Sequence, residues 1–134
     1  MNKRGTRPAP FKPIKVVIVG NPVPMARPRV GDRGAGIPAR TLAAEREIAQ
    51  LTKIALMEHA EDFPQRGVFR LDINFHEAPK GQSTQADIDN CAKLCLDALN
   101  EIVWNDDRQV EILNLSMERG SRDPRTEITI EKIG

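Results

Sequence analysis

Two apolar periodicities in the centre of the chain constrain the fold more than any other feature. Residues 68–75, VFRLDINF, alternate apolar and polar side chains, which predicts a strand with one buried face. Further on, apolar residues recur at helical spacing and predict a helix from Asp87 or Ile88 to Val103. Its apolar stripe consists of Cys91, Leu94, Cys95, Ala98, Leu99 and Ile102. A one-faced strand followed by a one-faced helix indicates a sheet covered by helices.

Shorter patterns supply the remaining elements. They predict a second helix from an N-cap at Thr41 to about Ala60, and strands at 14–20, 109–118 and 126–133. The turn RGSRDP separates the last two strands, which we expect to form a hairpin. The order β-α-β-α-β-β predicts an α+β fold, an α/β sandwich with a mixed sheet of about four strands and two main helices. Residues 14–134 would form a single domain, and residues 1–13 a basic, disordered extension.

Composition excludes several classes of protein. The chain has 134 residues, of which 40% are hydrophobic and 29% charged, as is typical of one soluble globular domain. It has no apolar run of membrane-spanning length and no segment of signal-peptide type, so we expect a cytoplasmic protein without a membrane partner. Cys91 and Cys95 lie four residues apart without zinc-ligand spacing, which predicts reduced core thiols.

Charge is distributed unevenly along the chain. Residues 1–40 carry nine Lys or Arg and a single acidic residue, whereas the remainder carries eleven basic and eighteen acidic residues. This division fits a polyanionic ligand held beside a carboxylate-bound metal ion. A disordered basic tail on a body with a solvated acidic surface explains the charge equally well.

The segment 21–40 contains four prolines and is predicted to be a loop. It carries four arginines that are candidate DNA-binding residues, through contacts to phosphates: Arg27, Arg29, Arg33 and Arg40. The alternative is a loop whose charges only keep it soluble. Aromatic residues make up only 4% of the chain, which argues against recognition of single strands by base stacking.

Acidic residues concentrate around the predicted helix that begins at Asp87 or Ile88. Asp89, Lys93 and Asp97 share the face opposite the apolar stripe, Asp87 stands at the helix entrance, and Asp106 and Asp107 follow the helix. Taken singly, they could be an N-cap, exposed ion pairs and a polar turn. Because the entrance and the following loop lie at opposite ends of the helix, their carboxylates meet only if the loop folds back or a second subunit supplies it. Spacing alone does not decide between these alternatives.

The residues 85–110 resemble the signature of RusA-type Holliday junction resolvases. The matching positions are Asp87, Asp89, Asn90, Lys93, Asp97, Ala98, Leu99, Trp104, Asp106, Asp107, Gln109 and Val110. The loop PVPMARPR is similar to the early Pro-x-Pro-x-x-Arg-Pro-Arg element of the family. The similarity extends from about Ile14 to Ile133 and leaves out the N-terminal extension.

The resemblance implies catalysis by Asp87, Asp89, Lys93 and Asp107, with the three aspartates holding Mg²⁺ or, in its place, Mn²⁺. It gives Asp97 and Asp106 a weaker claim to the metal ion. It also implies a symmetric homodimer that binds four-way DNA junctions and makes paired nicks during recombination and repair. No other cofactor is implied.

The chemistry of phosphodiester hydrolysis suits these residue types. Carboxylates can hold a divalent ion that neutralises the phosphoryl group, and Lys93 can stabilise the developing charge. The competing hypotheses are a catalytically silent DNA-binding dimer and a nuclease for other branched DNA. For the dimer, Ala92 and Leu96 on the flank of the helix, followed by Trp104, are the candidate interface, although Trp104 could equally be a packing residue.

Overall fold

The computed structural model of the chain describes residues 11–26, 39–83 and 85–134. The strands are β1 (Ile14–Val19), β2 (Phe69–Glu77), β3 (Val110–Arg119) and β4 (Arg125–Lys132). The helices are α1 (Ala39–Leu56) and α2 (Ile88–Leu99), and a short 3-10 helix, Asp107–Gln109, precedes β3. The four strands form one mixed sheet, so the predicted α+β class and element order are confirmed.

Strand β2 lies inside the sheet and carries the centre of the core. Its alternating residues Phe69, Leu71, Ile73 and Phe75 are almost completely buried, as their period of two predicts. The apolar stripe of α2 packs into the same core cluster. Of its six predicted members, the five within α2 are buried, and Ile102 is partly buried beyond the end of the helix.

The expected hairpin between the last two strands is wrong. The sheet order is β1-β4-β2-β3, with β2 parallel to β3 and antiparallel to β4. Residues 120–124 cross the end of β2, where the Ser121 amide donates to the Glu77 carbonyl at 2.7 Å. Five residues can span the roughly 10 Å of two strand spacings, so the connection has no need of a tight turn.

Both helices are shorter than predicted. Helix α1 includes Thr41 in its first turn, not as an N-cap, and ends at Leu56, about four residues early. Helix α2 ends at Leu99 because Asn100 adopts an extended conformation and Glu101 a positive φ of 66°. The Asn100 side chain accepts a hydrogen bond from the Trp104 indole at 2.9 Å, which stabilises this exit from the helix.

Strand β3 is an edge strand that the helices do not cover fully. Leu113 pairs in register with Leu71, yet Leu113 is 41% exposed whereas Leu71 is buried. Ile112 is also exposed, and Leu115 and Met117 are only partly buried. The apolar edge of β3 (Ile112, Leu113, Leu115 and Met117) therefore lacks the cover that β2 receives.

Three remaining expectations from the sequence concern the cysteines, membrane-spanning helices and the N-terminal extension. Cys91 and Cys95 are free and buried, and burial raises the pKa of the Cys91 thiol to about 12, with Glu77 adding to the effect. In the described part of the chain, no helix combines the length and apolar character that crossing a bilayer requires. Phe11, placed by sequence in the extension, packs its ring against Phe63 and Phe69.

The outer face of the sheet carries polar side chains that bridge neighbouring strands. His76 of β2 contacts Glu118 of β3 at 2.7 Å and Glu127 of β4 at 3.0 Å. The hydrogen bond to Glu118 is the main cause that raises the pKa of His76; the bond to Glu127 adds to it, and partial burial and Arg125 oppose it. The same contacts with His76 lower the pKa of both glutamates. Protonated His76 therefore links three strands.

We predict that His76 stabilises the fold mainly at acidic to neutral pH. Because its pKa is raised in the folded state, its contribution is fully present below the ordinary histidine pKa of about 6.5 and is lost as pH rises through the folded value. His76→Gln should therefore lower the free energy of unfolding more at pH ~6 than at pH ~9. Urea denaturation followed by circular dichroism measures the difference.

Ser116→Ala provides the matched control. It removes the 2.6 Å hydrogen bond from Ser116 to Asn74 on the same face, and neither of these groups titrates. Its cost should be the same at both pH values. An equal cost of His76→Gln at the two pH values would contradict the assigned role of the imidazole.

Candidate active site

The entrance of α2 presents two exposed carboxylates. Asp87 occupies the N-cap position with φ −74° and ψ 134°, but its side chain makes no capping hydrogen bond to the backbone. Its Oδ2 atom lies 3.5 Å from the Asn90 side-chain amide. Asp89 lies in the first turn, and both aspartates are exposed. The capping explanation therefore accounts for the position of Asp87 but not for its carboxylate.

The predicted polar face of α2 is present. Asp89 and Lys93 are exposed, and Asp97 is partly buried. Burial raises the pKa of Asp97, Lys93 opposes this, and the charge of Asp107 adds to it. Burial also raises the pKa of Glu45 on α1, and the charge of Asp97 adds to that effect. Asp107 is thus an electrostatic neighbour of Asp97, at the C-terminal half of the helix.

The three aspartates implicated as metal ligands are distributed over both ends of α2. All three are described, yet among the described residues no group of three His, Cys, Asp or Glu side chains is arranged to hold a metal ion. The twelve residues of α2 span about 18 Å, and Asp87 and Asp107 flank opposite ends. Of the two alternatives left by the sequence, this separation along α2 favours a second subunit over folding of the loop back onto the helix entrance.

The loop that carries Asp107 is held by a network of its own. Asp106 accepts a hydrogen bond from the Arg108 amide at 2.9 Å, which is the main cause of the lowered pKa of its carboxyl. The Gln109 side chain accepts from the Asn105 and Asp106 amides and donates to the carbonyls of Gln65 and Gly67. Asp106 therefore caps the 3-10 helix, which is a structural role.

Gln109 matches the motif of the family, but the resemblance assigns no catalytic or structural role to it. Its single amide group connects the loop before Asp107 to the segment that leads into β2. No spacing rule predicts this connection, because Gln65 and Gly67 lie more than forty positions away from Gln109. The Asp–x–x–Gln pattern of Asp106 and Gln109 was the available signal, since it matches a capping box.

Two residues of the expected dimer interface are not available for it. Trp104 is 0% exposed and its ring lies 5.3 Å from that of Phe69. Ala92 is 3% exposed, and Leu96 is partly buried against the core. The sequence interpretation of Ala92 and Trp104 as interface residues is wrong, because the turn after α2 folds Trp104 inward. The packing alternative for Trp104 is confirmed.

The proline-rich loop begins beside the entrance of α2. The Met25 amide donates to the Asn90 carbonyl at 2.9 Å, and Asn21 accepts from the Ala78 amide at 2.8 Å. Of the four predicted DNA-binding arginines, Arg40 is exposed at the start of α1. Arg27, Arg29 and Arg33 lie outside the described residues. The described part of this loop thus ends beside the first turn of α2, which contains Asp89 and Asn90.

We predict that Gln109→Ala destabilises the loop that carries Asp107. The substitution removes the acceptor for two amides and the donor for two carbonyls, so it should cost about 1–3 kcal/mol and accelerate amide exchange at Asn105 and Asp106. Arg108→Ala is the control, because this exposed side chain forms only a surface ion pair with Asp106 and should cost less than about 1 kcal/mol. Equal stability of the two variants would refute the role of Gln109.

Comparison with known proteins agrees with the motif. The family described as Endodeoxyribonuclease RusA matches residues 20–131. A relative, the uncharacterized protein YqaN of Bacillus subtilis (strain 168), is 28% identical over 138 residues, covering 90% of this chain and 96% of the relative. The family match includes both ends of α2, the loop that carries Asp107, strands β2 and β3, and all of β4 except its last residue; it begins directly after β1. The chain belongs to the RusA family of endodeoxyribonucleases.

Proposed function

We propose that this chain is a metal-dependent, structure-selective endonuclease that resolves Holliday junctions by paired symmetric nicks in DNA recombination and repair. The observation that carries the proposal is the pair of exposed carboxylates, Asp87 and Asp89, at the entrance of α2 in a chain of the RusA family. Because the Asp87 carboxylate makes no capping bond to the helix, a structural role does not explain it.

The metal ligands would be Asp87, Asp89 and Asp107, holding Mg²⁺ or Mn²⁺. Carboxylate oxygens are the preferred donors for these ions, and exposed aspartates leave room for water and a phosphate oxygen. The bound ion would supply charge neutralisation and an activated water for attack on the phosphodiester. The aspartates fix its position close to the backbone, since each side chain has only two rotatable bonds.

Lys93 would stabilise the negative charge that develops on the phosphoryl group. It is exposed, one helical turn after Asp89, and points from the same face of α2. Its position beside Asp89 on this face suits an electrostatic role better than that of a general base. This assignment makes Lys93 the fourth catalytic residue of the proposed site.

DNA would lie against the loop that carries Arg27, Arg29 and Arg33, with Arg40 at the start of α1. The hydrogen bond between Met25 and Asn90 supports this assignment, because Arg27 follows Met25 by only two residues. Phosphates bound by these arginines would thus lie near Asp87 and Asp89. The arginines would also offset the repulsion between DNA and the acidic helix.

We propose that the active unit is a homodimer and that the second subunit completes the metal site. A metal ion needs its oxygen ligands within about 2–3 Å, and the length of α2 that separates Asp107 from Asp87 in one chain supports a ligand from the partner. The apolar edge of β3 supports a contact with a second copy, since an unpaired edge strand with exposed Ile112 and Leu113 is a template for association. Two-fold symmetry would also give the two sites that paired nicks require.

We predict that Asp87→Asn and Asp107→Asn each abolish cleavage and leave the fold intact. Each change removes one charged ligand from a site at the surface, so junction binding should persist or tighten. Nicking of four-way, flap and linear DNA with Mg²⁺ measures the loss, and the same substrates show the selectivity of the wild-type chain.

Asp123→Asn is the control for removal of a carboxylate. Asp123 is exposed in the connection between β3 and β4, where it pairs with Arg125. This variant should cleave at the wild-type rate. Full nicking by Asp87→Asn would overturn the metal assignment, and junction binding by a wild-type chain that never nicks would favour the catalytically silent dimer.

A mixing experiment tests the shared site. If Asp107 acts in the site of its partner, a heterodimer of Asp87→Asn and Asp107→Asn subunits contains one site with both lesions and one intact site. Mixing the two inactive variants should therefore restore single nicks, to at most about half the wild-type rate per dimer. Sites confined to one chain would each keep a lesion, so the mixture would stay inactive. Lys93→Ala mixed with Asp87→Asn is the control, because both lesions lie on the same helix, and should not recover.

We predict that the loop arginines contribute to binding through phosphate contacts. Arg27→Ala with Arg29→Ala should weaken binding to a four-way junction and reduce the slope of log affinity against log salt by about 0.9 per lost contact. Arg66→Ala is the control, as it removes an exposed arginine from the turn before β2. An unchanged slope in the double variant would exclude the loop from the DNA interface.

A further inference from the structure

An ion pair between a buried glutamate and a partly exposed arginine contacts the backbone that leads into α2. Glu77, the last residue of β2, is 1% exposed although it is a glutamate, and it pairs in register with Arg119, the last residue of β3. The Arg119 Nη1 atom donates to Glu77 Oε1 at 2.8 Å. A buried carboxylate requires partners for both of its oxygens, because an unpaired buried charge is strongly unfavourable.

The second partner of Glu77 is the backbone that leads into the site. Glu77 Oε2 accepts from the Ala86 amide at 2.8 Å, and Arg119 Nη2 donates to the Ala86 carbonyl at 3.1 Å. Both backbone polar groups of Ala86 are thus bound to one ion pair. Ala86 immediately precedes Asp87, and Gln85 before it has a positive φ of 55°, which a residue other than glycine adopts only when its surroundings enforce it.

We infer that Glu77 and Arg119 are positioning residues that fix the Asp87 and Asp89 carboxylates for metal binding. The inference rests on the proposed function, in which these aspartates hold the ion. A helix start without a capping bond from its N-cap side chain depends on other contacts for its placement. The ion pair supplies them, and it ties the entrance of α2 to the ends of the two parallel strands. Neither residue belongs to the motif that identifies the aspartates.

Substitutions of Arg119 can separate a role in positioning Asp87 and Asp89 from a contribution to the stability of the whole fold. Arg119→Lys keeps a positive charge for Glu77, but one ammonium group replaces the two guanidinium nitrogens that reach Glu77 and Ala86 separately. Arg119→Gln removes the charge. Arg119→Gln leaves the buried Glu77 carboxylate without a cation, so circular dichroism must show that this variant is folded before it is compared with Arg119→Lys, which keeps the charge. Glu77→Gln is the partner variant, in which one carbonyl oxygen cannot replace two carboxylate oxygens.

The first measurement is amide exchange in the full chain without metal or DNA. Arg119→Gln should accelerate exchange of the Ala86 amide about tenfold or more relative to the wild type, because its acceptor Glu77 loses the group that orients it. Amides in the interior of β2 and β4 should stay within about threefold. Arg125→Gln is the matched control: it removes an ion-paired arginine from β4 and should leave Ala86 unchanged. Unchanged exchange at Ala86 in a folded Arg119→Gln chain would overturn the inference.

The second measurement is Mn²⁺ binding by calorimetry, again without DNA. Both Arg119 variants should bind Mn²⁺ about tenfold more weakly than the wild type, with Arg119→Lys as stable as the wild type to urea. Wild-type affinity for Mn²⁺ in either folded variant would overturn the positioning role. Junction binding should keep its salt dependence, because Arg119 is assigned to Glu77 and Ala86 and not to DNA; a slope lower by about 0.9 would instead make it a phosphate contact and contradict the inference.

The two proposals fail in distinguishable ways. A wild-type chain that neither binds Mn²⁺ nor nicks branched DNA contradicts the proposed function, whatever Ala86 exchange shows. A wild-type chain that does both, alongside Arg119 variants with unaltered Mn²⁺ affinity, contradicts only the role of the ion pair.

Discussion

The parallel pairing of β2 with β3 is the constraint on which the rest of the structure depends. Parallel neighbours cannot be joined by a tight turn, so the chain must cross from the end of β2 back to the start of β3. Helix α2 makes this crossing and buries its apolar stripe against the sheet. The two ends of α2 therefore lie at opposite ends of the strands. Asp87, at the start of the helix, follows the end of β2, and Asp107, beyond the end of the helix, precedes the start of β3.

The separation of the acidic residues follows from this crossing. The helix spans about 18 Å, whereas ligands of one Mg²⁺ lie within about 4–5 Å of one another. No side-chain rotation closes such a gap, and the loop at Asp107 is held in place by Gln109 and Asp106. In the proposed metal site, which uses both ends of this helix, a second copy of the chain would supply Asp107.

Much of the fold could be predicted from the sequence because its elements are periodic. The alternation at 68–75 and the stripe of α2 identified the strand and helix that carry the core. The position of β4 could not be predicted, since a short connection such as RGSRDP is compatible with a hairpin and with a crossing over β2. The helix ends were misplaced for a similar reason: Asn100 and Trp104 interact through side chains, and this contact outweighs a helical pattern that continues to Val103.

Part of the candidate site could likewise be predicted from the sequence, and part could not. Residue types and spacing identified the exposed face of Asp89 and Lys93, because solvent-facing helix positions obey a simple period. The backbone contacts of Glu77, Arg119 and Gln109 could not be predicted from spacing, because their partners lie in other segments of the chain. Glu77 in particular ends an alternating strand at a position that should be apolar, and it is as buried as its neighbours. A charged residue at a core position of a regular pattern is therefore itself a signal: the chain must provide partners for it, and here those partners lead to the entrance of the acidic helix.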